Sequence, residues 1–113
     1  MKNAYFRFLT LVAKLDHEHP VRELDIQTRQ LLDLIAINHD QGTPLTVTTA
    51  MSLSSIASPA TIHRKLEELK AQGLVDVQFQ NANMRTKYLV PTAISKKRYE
   101  KLDREMVKSF RLS

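Results

Sequence analysis

Apolar positions recur along this chain in two rhythms, and the switch between them outlines its architecture. Tyr5, Phe8, Leu9, Val12 and Leu15 fall at helical intervals, which predicts a first helix over residues 2–16. Ala4, Phe6 and Leu11 widen its apolar surface beyond one face, so it needs cover on two sides, and a second subunit suits the outer one. The polar run Asp16-His17-Glu18-His19-Pro20 ends it. A second helix is expected from Asp25, a side-chain cap for free backbone N–H groups, to about Asn38. Leu31, Leu34 and Ile35 mark its inner face, and Gln41-Gly42-Thr43-Pro44 closes it. Residues 45–53 are rich in Thr and Ser, which form helices poorly, yet Val47, Ala50 and Met51 keep the helical interval. They read as a short supporting helix after a small strand near Leu45, with Ser54 to Ala57 as a turn.

Ser58 to Val75 is the best-punctuated stretch. Ser58 caps, Pro59 fits the first helical turn where its missing N–H costs nothing, and Gly73 supplies a left-handed stop. Between them Ile62, Leu66 and Leu69 form a buried stripe. The rhythm then becomes two-residue alternation through Val75, Val77 and Phe79, followed by a polar tip from Asn81 to Arg85 and a second strand through Tyr88 and Val90. A final helix over residues 92–110 aligns Tyr99, Leu102, Met106 and Phe110 in a narrow stripe, the pattern of a helix–helix seam.

The expected fold is mainly α with a small antiparallel β-hairpin. A short capped helix leading into a basic-tipped hairpin is the layout of a winged helix-turn-helix. The expectation is a single domain over residues 1–113, with a core at 22–91 and dimerisation helices at 2–16 and 92–110. Composition narrows the function. The 113 residues carry net charge +5. Residues 1–57 have five Lys/Arg against six Asp/Glu, and residues 58–113 have twelve against six. The positive excess thus falls in the half holding the reading helix, hairpin and last helix, which favours a polyanionic partner. There are no cysteines, so disulfides, thiolate metal sites and cysteine catalysis are excluded. The longest apolar run, Leu31 to Ile37, is broken by Asp33 and is too short to span a bilayer. Lys2 and Arg7 ahead of residues 8–13 faintly imitate a signal peptide, but no cleavage pattern follows. Cytoplasmic residence is expected.

Three places resemble the MarR type of winged-helix transcriptional regulators. Leu24 to Leu32 looks like the family's second helix. Ser58 to Val75 resembles its recognition helix, with a small-residue start, paired basic residues, Leu-x-x-Leu and then Gly-Leu-Val. Asn83-Met84-Arg85, followed by Leu89-Val90-Pro91-Thr92, is similar to the wing pattern Asp-x-Arg ending in Leu-Thr, with Asn83 replacing the usual Asp and Pro91 the common Leu. The single C-terminal helix departs from the two of the family. The resemblance implies a homodimer, built from first and last helices, on pseudo-palindromic duplex DNA.

On this reading the recognition helix, 58–72, enters the major groove and the wing, 80–87, meets the minor groove. Ala60, Thr61, His63 and Arg64 are the candidate base readers, and Arg64 suits bidentate pairing with guanine. Ser58 and the N–H groups near Pro59 suit a phosphate. Lys65 is assigned to the backbone from the side of the helix, Arg85 to the minor groove, and Asn81, Asn83 and Lys87 to flanking phosphates. The many cations of the last helix read as a solvated face pairing with Glu100, Asp103 and Glu105. His17-Glu18-His19 reads as a loop rather than a metal site, since no third ligand converges on it in the sequence. No catalytic constellation or cofactor motif is present, so no enzyme activity is expected, and nothing beyond apolar helices supports a small-molecule effector. Two alternatives stay open: a winged-helix connector between proteins, and a plasmid or phage replication or partition protein that binds DNA.

Overall fold

The structure, a computed structural model, describes residues 3–17, 20–79 and 85–112. In chain order it comprises α1 (Ala4–His17), a 3-10 turn (Pro20–Glu23), α2 (Ile26–Asp40), α3 (Val47–Met51), α4 (Pro59–Ala71), β1 (Val75–Phe79), β2 (Lys87–Pro91) and α5 (Ala93–Leu112). The strands pair antiparallel, from Val75 opposite Pro91 to Phe79 opposite Lys87. The architecture is a winged helix, mainly helical with one hairpin. The chain divides into two compact units, residues 25–95 and residues 1–24 with 96–113.

Residues 25–95 form the winged-helix unit. Its core gathers Leu31, Leu32 and Ile35 from α2, Ala50 from α3, Ile62, Leu66 and Leu69 from α4, and Leu74, Val75, Leu89 and Val90 from the hairpin. Each long helix is closed in the same way. Gly42 (φ +80°) and Gly73 (φ +71°) take the left-handed conformation that other residues adopt at a cost. After α4, Gly73 N–H donates to Lys70 O and Leu74 N–H to Leu69 O; after α2, Gly42 N–H donates to His39 O and Thr43 N–H to Asn38 O. Both are Schellman closures, which satisfy carbonyls that the helix leaves without partners. The expected strand near Leu45 is reduced to a single bridge, Thr46 with Tyr88, beside Leu89 N–H donating to Leu45 O at 2.8 Å. The supporting helix α3 is only five residues long, capped by Thr46 Oγ1 accepting from Thr49 N–H. Beyond β2, Thr92 Oγ1 donates to Gly73 O and Ser95 Oγ to Leu74 O, both at 2.6 Å, which pins the start of α5 to the end of α4.

The second unit joins α1, the 3-10 turn and most of α5. Val21 and Leu24 are buried in it, and Asp16 accepts from Arg98 in a buried ion pair between the two helices. The turn at residues 20–23 was not expected as an element; its Leu24 N–H donates to Val21 O. Tyr5, Phe6 and Leu9 of α1 and Met106, Val107 and Phe110 of α5 are all exposed. Among the described residues no helix is long and apolar enough to cross a membrane.

Candidate nucleic-acid interface

The candidate surface begins with how α4 is capped and rolled. Ser58 is extended and its Oγ accepts from Thr61 N–H at 3.4 Å, while Pro59 takes the first helical position. Ser58 Oγ also donates to Thr61 Oγ1 at 3.0 Å. Ile62 and Leu69 are fully buried and Leu66 nearly so, which fixes the opposite side of the helix outward. Ser58, Pro59, Ala60, His63 and Arg64 are exposed and Thr61 is half-buried. The structure therefore gathers these six predicted residues on the outer side and the first turns of one helix.

Lys65 does not belong with them. Its side chain is only 7% exposed, and its Nζ donates to Asp25 Oδ2 at 2.8 Å and to Thr28 Oγ1 at 3.3 Å. This corrects its assignment to the DNA backbone, because an ammonium held inside the unit by a carboxylate has no reach to a phosphate. On the helical wheel Lys65 lies about 40° from Leu69, so its position beside the core stripe was a legible signal. Its partner, forty residues earlier in sequence, was not.

Asp25 and Thr28 thus position α4 in a way the sequence did not reveal. Asp25 Oδ1 caps α2 by accepting from Thr28 N–H at 2.7 Å and Thr28 Oγ1 at 2.8 Å, while Oδ2 receives Lys65. The Lys65 ammonium, then the two Thr28 donors, hold the Asp25 carboxyl at about 2, below its ordinary 3.8. One carboxylate therefore both starts α2 and anchors α4. Gln27 Nε2 donates to Ile56 O at 2.9 Å, tying the turn before α4 to the same helix.

Farther along α4, Glu67 is exposed and pairs with Lys70 at 2.7 Å, which holds the Glu67 carboxyl below the usual carboxylate range. An open groove of about 330 Å³ separates this part of α4 from the hairpin, with His63, Glu67, Lys70, Phe79 and Lys87 among its lining residues. Helix α4 and the base of the hairpin thus share one depression, lined by both His63 and Lys87. Arg85 is exposed in the turn before β2. Asn81 and Asn83 lie outside the described residues, as do Glu18 and His19 of the rejected metal cluster.

A capped helix with an outward row of small and basic residues, followed by an antiparallel hairpin, defines the winged helix-turn-helix class. The fold is similar to that of the solved "MarR Protein from Peptoclostridium difficile DA00132", with a TM-score of 0.53 and 19% identity over 91% of this chain. The chain spans 64% of that protein's length. Neither a family model nor a curated protein matches the sequence.

Proposed function

We propose that the protein is a sequence-specific duplex-DNA-binding regulator of transcription that acts as a homodimer in the cytoplasm. In this reading α4 enters the major groove by its amino-terminal half, and residues 80–87 approach the adjacent minor groove. One observation carries the proposal. Ala60, His63 and Arg64 are exposed along a helix whose other side is locked in the core, so the row is held rigidly at the end that reaches base edges in this class of docking. The solved protein of similar fold bears the name MarR, which agrees with this reading. Arg64 contacts a base, His63 and Thr61 flank it, and the Ser58 hydroxyl with the first N–H groups of α4 meets a phosphate. Glu67 repels phosphates, so the carboxyl half of α4 lifts away from the duplex.

Selection of bound duplexes from a random pool tests this. The expected product is an inverted-repeat motif whose base preference changes in Arg64→Ala, a loss of about 1–3 kcal/mol of discrimination at one position. Arg85→Ala should soften preference for A·T-rich flanks. If no motif is enriched at moderate salt, the proposal falls and a connector between proteins becomes the better reading.

A further inference from the structure

The positive charge of this protein does not sit on its winged helix. Residues 25–95 carry six Lys/Arg and six Asp/Glu, whereas the other unit carries eleven against six and so holds the whole net +5. Most of that excess lies on α5, with seven basic residues against three acidic ones. Helices α4 and α5 both fall in residues 58–113, so the larger part of that half's excess belongs to α5 and not to α4.

Within α5 the cations are ordered. Lys97, Lys101, Arg104, Lys108 and Arg111 alternate steps of four and three residues, and all five are exposed. At about 100° per residue they keep within about 40° of one line, and at 1.5 Å per residue that line is about 21 Å long. The seam residues Tyr99, Leu102, Met106 and Phe110 fall on the opposite side of the wheel, so a subunit covering the seam leaves the cations open. Among the described residues only Lys108 of the five pairs with an acid, Glu105 at 3.6 Å. The expected solvated pairing with Glu100 and Asp103 is not found for the other four.

We infer that this stripe is a second, sequence-independent binding surface for the phosphate backbone of duplex DNA, separate from the reading face of α4. The choice of duplex DNA among polyanions rests on the proposed reading of α4. Two features of the stripe support it. No aromatic side chain interrupts the five cations, whereas surfaces for single strands use rings to stack bases. The aromatic seam of α5 lies opposite the cations, and beside them only two exposed apolar side chains of α5 are described, Ile94 and Val107, a small apolar area for insertion into a membrane next to five cations. Counterion release grows with the number of phosphates that Lys and Arg neutralise, and the five exposed cations of the stripe add to the few on the reading face.

The test compares the full chain with a variant carrying Lys97→Gln, Lys101→Gln, Arg104→Gln, Lys108→Gln and Arg111→Gln, measuring affinity for a random-sequence duplex across a salt series. The variant should bind at least about 30-fold more weakly at low salt, with a log K against log salt slope shallower by about 3 or more. An unchanged slope overturns the inference. Should the fivefold variant fail to fold, Lys101→Gln with Arg104→Gln should still reduce the slope by about 1.8, and an unchanged slope there is equally fatal. Sedimentation with phosphatidylserine-containing vesicles is run in parallel. Vesicle binding that depends on the stripe, with duplex binding unaffected, overturns it in favour of a membrane surface. Random-duplex binding that depends on the stripe, without any enriched motif, supports the stripe while removing the sequence-specific role of α4.

Discussion

At the scale of single residues, the junction of Asp25, Thr28 and Lys65 is where stability and orientation meet. Asp25→Ala removes the cap of α2, worth about 1 kcal/mol, and leaves the Lys65 ammonium enclosed without its carboxylate. A total loss of about 2–3 kcal/mol is expected by denaturant unfolding. Lys65→Met keeps the volume and removes the enclosed charge, leaving an Asp25 that solvent reaches, so its cost should stay within about 1 kcal/mol. Equal losses in the two variants would contradict the assigned asymmetry. Lys65→Met should also leave the salt slope of DNA binding unchanged, since its ammonium faces Asp25. The same carboxylate sets a pH dependence. Its folded value, about 2, lies below the ordinary 3.8, so its stabilisation is complete above about pH 4 and disappears as pH falls toward 2. The Asp25 side chain is 59% exposed and therefore screened, which limits the effect to about 1 kcal/mol or less. An Asp25→Asn variant should flatten that part of an acid-unfolding profile.

At the scale of elements, α4 is specified at both ends by local chemistry and along its length by the core. Gly73 is the most sensitive point of its closure. A Cβ there would meet nothing within 4 Å, so the cost of Gly73→Ala comes from the positive φ and not from a clash. About 1–2 kcal/mol is expected from thermal unfolding. Gly73→Asn should cost less, because a short polar side chain tolerates that conformation. The hydrogen bonds from Thr92 to Gly73 O and from Ser95 to Leu74 O mean that the same closure also positions the start of α5. The capped ends, the stripe of α4 and the alternation of the strands were legible because each depends on neighbours within a few residues. The short strand near Leu45 was only partly legible: Thr46 forms a single bridge to Tyr88, a pairing made over forty-two residues of chain.

At the scale of the whole molecule, the exposed aromatics of the α1 and α5 unit call for a partner surface. Tyr5, Phe6 and Phe110 are each more than half exposed, and a cavity of about 370 Å³ lined by Tyr5, Phe8, Met106 and Phe110 opens between the ends of the two helices. A second copy of the chain is the proposed cover, since apolar patches of this kind mark interaction sites on proteins. Light scattering at micromolar concentration should give twice the 13.0 kDa chain mass. Phe110→Glu with Tyr5→Glu should return the monomer and abolish binding to an inverted repeat while leaving half-site contacts weak but present. A monomeric parent protein would remove the homodimer from the proposal.

Local rhythm and punctuation in the sequence were sufficient to determine the helices, the hairpin, the two glycine stops and the outward row of Ala60, His63 and Arg64. All of these arise from interactions along a few residues of chain, where side-chain periodicity and backbone preference act directly. Which cations remain open to a partner was decided only by tertiary structure. Lys65 and Arg64 are adjacent, yet one faces solvent and the other is drawn in by Asp25 from a distant helix. A charge is enclosed or exposed according to the partner that packing brings to it, and the order of residues along the chain does not contain that distance.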